Sequence, residues 1–157
     1  MEKPFVESSW LDPLYPIRCD GNLPPAKVKT MLTRKVAIYI PSTVDANVAA
    51  SSELVAKWSK QAKILLSNLF GGFTAYHAQG GWYSAEKGLI EEPVLVVNAF
   101  TDDNGLNESN LNQIRFLARL IAIDMQQEAV SVEHDGKLEF IQETTMIHLE
   151  QQFKLAA

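Results

Sequence analysis

Cysteine is nearly absent from this chain: Cys19 stands alone, which excludes an internal disulfide and any multi-cysteine metal knot. Its surroundings are proline-rich and hold no histidine, so it reads as an ordinary free thiol. Histidine is scarce too. His77, His134 and His148 are the whole set, no two of them stand at a metal-ligand spacing such as H-x-x-x-H, and no metal or cofactor is expected. No run reaches the ~18 consecutive apolar residues of a membrane-spanning helix. Met1-Glu2-Lys3-Pro4 is not followed by an apolar stretch, so no secretory signal is read and a cytoplasmic protein is expected. Basic charge is in the minority, with 14 Lys and Arg against 19 Asp and Glu. A net charge of −5 argues against nucleic acid as the main partner, because phosphate backbones are held by clustered Lys and Arg.

What is present suffices for one folded domain. The chain has 157 residues, 46% of them hydrophobic, so a core forms without disulfide or metal staples. Residues 1–33 stand apart, with Pro13, Pro16, Pro24 and Pro25 crowded together. Proline fixes φ and lacks an amide donor, which excludes a regular helix or central strand there. Phe5, Trp10, Leu11 and Tyr15 are too apolar for a solvated tail, so this segment is expected to be an extended arm packed on the domain or on another copy.

Periodicity then places the elements of a domain over residues 34–142. Lys35–Ile40 is β-branched and aromatic and ends at Pro41, which reads as a strand. After a loop over Ser42–Ala50, Ser51 or Ser52 caps a helix whose Leu54, Trp58, Ala62, Leu65, Leu66 and Leu69 share one face, and Gly71-Gly72 ends it. Phe73–His77 is a strand running into Gly80-Gly81, where a bulge or a close backbone approach is expected. Past a turn at Glu86-Lys87-Gly88 comes Val94–Phe100, continuously apolar and therefore expected to be covered on both faces.

A second helix is expected over Glu108–Gln127, with Leu111, Ile114, Leu117 or Ala118, Ile121 and Met125 as its core stripe. Phe116, Leu120 and Ile123 form another stripe rotated away from the first. A domain this small has no second interior for it, so an oligomer interface is expected there. Ala129–Glu133 and Lys137–Ile141 flank His134-Asp135-Gly136 as a hairpin, with His134 placed in the turn. Residues 143–157 are read as a tail, with a short helix expected through Met146, Ile147, Leu149 and Phe153. The order β-α-β-β-α-β-β gives an α+β, ferredoxin-like sandwich: an antiparallel sheet with two helices on one face.

No catalytic constellation stands out. The glycine pairs match neither G-x-x-x-x-G-K-[ST] nor G-x-G-x-x-G, and no serine lies in G-x-S-x-G. The best candidate pocket gathers Tyr76, Trp82, Tyr83 and Glu92, with His77 and Glu92 as weak catalytic candidates. A glutamate beside aromatic walls serves as acid or base, though more often as a half-buried hydrogen-bond acceptor. Lys57, Lys60 and Lys63 share a face of the first helix and Arg115 and Arg119 a face of the second, which makes an anion-binding surface a candidate against the plainer reading of a solvated exterior.

Several of these residues fall into a pattern: Tyr39-x-Pro41-Ser42-Thr43, Phe70-Gly71-Gly72-x-Thr74, Gly81-Trp82, Gly88-Leu89-Ile90-x-Glu92 and Gln127-Glu128-Ala129-Val130. It resembles an uncharacterised family of small bacterial ferredoxin-like domains, frequent on plasmids and other mobile elements, over about residues 34–142. The arm and the tail depart from that family, and the resemblance carries no catalytic residues with it. The leading expectation is a non-enzymatic, self-associating module that holds a protein partner or small ligand as a mobile-element accessory or host-interference protein. The first alternative is a small hydrolase or isomerase with its pocket near Trp82 and Glu92. The second is a nucleotide or nucleic-acid binder working through the helix-face Lys and Arg.

Overall fold

The computed structural model describes residues 27–44 and 48–142. The chain divides into two units, Met1–Met31 and Leu32–Ala157, and residues 27–31 of the first carry neither helix nor strand. Most of the expected arm, with Cys19, and the whole of the expected tail, with His148, lie outside the described residues.

In the second unit, β1 (Arg34–Pro41) is followed by two short strands, β2 (Thr43–Val44) and β3 (Val48–Ala49). Then come α1 (Ser52–Phe70), β4 (Thr74–Ser84), β5 (Gly88–Thr101), α2 (Glu108–Asp124), β6 (Ala129–His134) and β7 (Lys137–Gln142). Five strands make one antiparallel sheet in the order β4-β5-β1-β6-β7. This is the α+β architecture the periodicity indicates.

Local chemistry sets the element ends. The Ser51 hydroxyl accepts the Leu54 amide at 3.2 Å to open α1, and Gly71, at φ +86°, closes it by donating its amide to the Ser67 carbonyl at 2.8 Å. Asn107 caps α2 through its side-chain oxygen. Asp135 and Gly136, at φ +50° and +71°, make the two-residue turn between β6 and β7, a geometry that suits the right-handed twist of a hairpin.

The core lies between the sheet and the helices. Val36, Ile38 and Ile40 of β1 alternate inward, flanked by Leu95, Val97 and Ala99 of β5 and by Val130 and Val132 of β6. Trp58, Ala62 and Leu66 of α1 and Leu111, Ile114, Leu117, Ala118 and Ile121 of α2 pack on that same side, so both helices cover one face. Trp58 Nε1 donates to Asp124 Oδ2 at 2.9 Å, which pins the start of α1 to the end of α2. The opposite, helix-free face carries Tyr39, Tyr76, Trp82, Glu92, Val96, Phe100, Leu138 and Phe140, as the pairing register requires.

Five expectations need correcting. The Ser42–Ala50 loop contains a small ladder, Thr43 opposite Ala49 and Val44 opposite Val48. The second helix ends at Asp124 rather than Gln127, because the chain turns through Gln126 at φ +51°. No bulge occurs at Gly80-Gly81, where pairing with Glu92 and Glu91 is one to one. The other expectation holds there: a Cβ on Gly81 would lie 2.8 Å from the Ile90 carbonyl oxygen, so only glycine fits so close a backbone. Phe100, at the end of the apolar run, is half exposed on the helix-free face. Finally, His134 is the last residue of β6, paired with Lys137, and not part of the turn.

Candidate functional site

The β4–β5 hairpin is longer than its neighbour. β1 meets β5 only from Val94 to Thr101, so Gly88–Pro93 runs past the β1 ladder. At that end a cleft of about 600 Å³ opens, lined by Trp82 and Glu92 from the hairpin, Gln126–Glu128 from the segment between α2 and β6, Ala129 at the start of β6, and Phe140 and Gln142 from β7.

Strand alternation decides which candidates meet. In the register Trp82 lies opposite Ile90, two pairs from Glu92, so Trp82 and Glu92 share a face with Tyr76. His77 and Tyr83 belong to the other side of the strand and are exposed there, away from the cleft. The expected pocket of Tyr76, Trp82, Tyr83, His77 and Glu92 therefore divides. Trp82 and Glu92 line the cleft, Tyr76 shares their face further along β4, and the other two do not reach it.

Sequence reasoning missed Gln126, Gln127, Glu128, Ala129, Phe140 and Gln142 as cleft residues. One signal was available, since Thr43, Trp82, Glu92 and Gln127-Glu128-Ala129 all belong to the family-like pattern and converge here from separate segments. Gln126 holds the left-handed backbone region without being glycine, a strain of about 1–2 kcal/mol that has to be offset by the surrounding fold.

The cleft's electrostatics are one-sided. Among its described lining residues are two carboxylates, Glu92 and Glu128, two aromatic rings, three glutamine amides and no Lys, Arg or His. A hydroxyl fixes one of the carboxylates: Thr43 Oγ1 donates to Glu92 Oε2 at 2.9 Å. Nearer the centre of the helix-free face, the Tyr39 hydroxyl donates to Glu133 Oε2 at 2.5 Å, with Lys35 Nζ at 3.4 Å from Oε1. Burial, then the carboxylate, push the Tyr39 phenol up to about 12, so it stays a hydrogen-bond donor rather than a base. No group of three or more His, Cys, Asp and Glu among the described residues has metal-site geometry.

The basic candidates do not gather. Lys57 pairs with Asp124 at 2.7 Å and lies over the Trp58 ring, while Lys63 lies over Phe73 and Lys60 is exposed. Arg115 sits across the fold in a fork on Glu139, with both bonds at 2.8 Å, and also holds Glu108. Arg119 lines a groove with Arg115, Phe116 and Phe140. The charges of Lys57 and Arg115 are thus already answered by carboxylates, which weakens the anion surface.

The Arg115 fork has a measurable consequence. Its hydrogen bonds, with that of His134, hold the Glu139 carboxyl down from 4.5 to about 2. A carboxylate depressed on folding contributes stability that is whole above its unfolded pKa and is lost as pH falls through the folded value. Urea midpoints are therefore expected to drop between about pH 4.5 and 2, and an Arg115→Gln variant to show a shallower drop across the same window. Equal slopes in the two proteins would remove this assignment.

No protein-family model and no curated protein matches the chain, so the family likeness of the pattern stands as an expectation. Solved structures do match. A phage SAM lyase in complex with S-methyl-5'-thioadenosine superposes with a TM-score of 0.52 at 15% identity, covering 74% of this chain and 96% of the lyase. The same phage lyase in its apo state gives 0.49 at 14% identity, over 76% and 96%. Pyrococcus horikoshii CutA gives 0.39 at 10% identity, over 78% and 97%. At 15% identity the first likeness is one of fold. It overturns the expectation of a non-enzymatic binding module, which rested on the lack of a recognisable catalytic motif: an enzyme of nearly the same extent uses this fold.

Proposed function

We propose that this chain is a small enzyme working at the Trp82–Glu92 cleft, a lyase that breaks a carbon–sulfur bond in a cationic adenosyl sulfonium such as S-adenosylmethionine. One observation carries the reading: the described lining of the cleft is aromatic, acidic and amide-bearing and has no basic side chain. Such a surface repels phosphates and accepts cations. Aromatic faces attract sulfonium and ammonium groups, flat bases stack on Trp and Phe, and glutamine amides offer both donors and acceptors to an adenine edge. The shared fold of the phage SAM lyase supports the same reaction class. We also read the sheet order as a ferredoxin-like sandwich with β7 added at one edge.

The chemistry assigns the carboxylate its place. When a sulfonium loses one carbon, the bonding pair stays on sulfur and the positive charge vanishes, so a neutral thioether leaves. The carbon is closed by an electron pair from its own fragment, without water. An anion held against the sulfonium would stabilise the charged ground state and slow the step. Glu92 instead serves best on the substrate's ammonium, whose charge persists and whose position fixes the reacting fragment. Incubation of the purified protein with S-adenosylmethionine, followed by chromatography and mass spectrometry, is expected to show S-methyl-5'-thioadenosine accumulating. Intact substrate after prolonged incubation at micromolar enzyme would exclude the reading.

We place self-association in the same proposal. Phe116, Leu120 and Ile123 of α2 are 61%, 36% and 44% exposed, a stripe that the described residues leave uncovered. Light scattering at micromolar concentration is expected to give a multiple of the chain mass and Phe116→Asp a smaller species. A wild-type monomer would end this part. Among the described residues no helix is long and apolar enough to cross a membrane.

A further inference from the structure

The β1–β5 ladder closes with Pro41 opposite Val94, and the next residue of β5 is Pro93, which has no amide to give. Backbone pairing cannot continue, yet Glu92 lies just beyond. Two consecutive hydroxyls take over where the ladder stops. Ser42 Oγ donates to the Pro93 carbonyl at 2.5 Å, and Thr43 Oγ1 donates to Glu92 Oε2 at 2.9 Å. Thr43 is itself held twice, through its place opposite Ala49 in the β2–β3 ladder and through its carbonyl, which accepts Gln127 Nε2 at 2.8 Å. Gln127 also reaches the Met125 carbonyl at 3.3 Å and lines the cleft on the side opposite the hairpin.

From this geometry we infer that Thr43, backed by Gln127, is a positioning residue that orients the Glu92 carboxylate in the cleft. The inference rests on the reading of Glu92 given above and deepens it. A glutamate has three rotatable bonds, and where β5 has run past the end of β1 the Glu92 side chain has little else to hold it. With Oε2 occupied by the Thr43 hydroxyl, Oε1 makes no bond among the described residues and is the atom left for substrate. Charge, supplied by Glu92, and direction, supplied by Thr43, are then separable. Loss of the first removes binding and rate together, whereas loss of the second leaves a charged but wandering group.

Thr43→Val keeps the shape and β-branching and deletes only the donor; Thr43→Ser keeps the donor. With S-adenosylmethionine as substrate, Thr43→Val is expected to lose about tenfold in kcat, the value of one well-made hydrogen bond, with KM within about twofold. Thr43→Ser is expected to stay within about twofold of wild type in both constants. Crystal structures of the three proteins supply a readout that needs no turnover: one Glu92 carboxylate orientation in wild type and Thr43→Ser, and a swung or split carboxylate in Thr43→Val. The inference is overturned if Thr43→Val matches wild type in kcat, if Thr43→Ser falls as far as Thr43→Val, or if Glu92 keeps its orientation in Thr43→Val. A wild-type protein inert toward S-adenosylmethionine would sink the lyase reading alone, and the crystallographic comparison would still decide the role of Thr43.

Discussion

Glu92→Gln will lower kcat/KM for S-adenosylmethionine about 100-fold, because it truncates one partner of a charge pair in a partly desolvated cleft, a loss of ~2–5 kcal/mol. The substituted amide keeps the length and the ability to accept the Thr43 hydroxyl, so the fold and the Thr43 contact stay in place. What goes is the negative charge, and the described lining has only one other, on Glu128. Steady-state kinetics on wild type and variant, with circular dichroism to check folding, read the effect directly. A variant within threefold of wild type would mean that Glu92 merely lines the cleft. The control matters as much: His77→Ala and Tyr83→Phe are expected to leave both constants within about twofold, since the register turns these side chains away from Glu92.

Ile38→Ala is the substitution expected to cost the fold most, about 3–4 kcal/mol, since deletion of buried branched carbons removes transfer free energy and leaves a cavity that the surroundings fill only partly. Ile38 is fully buried, stands between Val97 of β5 and Val132 of β6, and belongs to the core cluster shared with both helices. The loss is a large share of the ~5–15 kcal/mol that holds a typical domain together, and the melting temperature is expected to fall by more than about 10 °C. Leu138→Ala, at a half-exposed site of the helix-free face, is expected to cost under about 1 kcal/mol. Thermal melts of the pair make the comparison, and a mild Ile38→Ala would contradict the placement of the core in the centre of the sheet.

Local rules explain why so much of the architecture is readable in one dimension. The spacing of Trp58, Ala62 and Leu66 and of Leu111, Ile114 and Ile121 is helical, and those residues are the ones buried. Ser51, Gly71 and the Asp135-Gly136 turn act through contacts within a few residues, so their chemistry is visible in the sequence itself. Errors fell where a distant partner decides. The short β2–β3 ladder depends on two segments too brief to show periodicity. Phe100 looks like one more member of an apolar run, yet on the helix-free side that it shares with Val96 and Asn98 it is half exposed while they are buried. Arg115 reads as a free surface base until β7 brings Glu139 within 2.8 Å.

The candidate site divides the same way. Trp82 and Glu92 are separated by a hairpin, and strand alternation alone brings them to a shared face while sending His77 and Tyr83 away. Gln126, Phe140 and Gln142 were illegible as cleft residues, and Gln127-Glu128-Ala129 showed only as part of a pattern, because only sheet order brings that end of β7 and the α2–β6 connection round to face β5. Composition and periodicity by themselves determined the two helices, the strands of the main sheet, the caps of α1 and the central core, since each follows from a residue and its near neighbours. Tertiary structure decided what the cleft is made of: long-range pairing selects which side chains converge, and an acidic, aromatic hollow without a described basic lining residue exists only once five segments of chain have met.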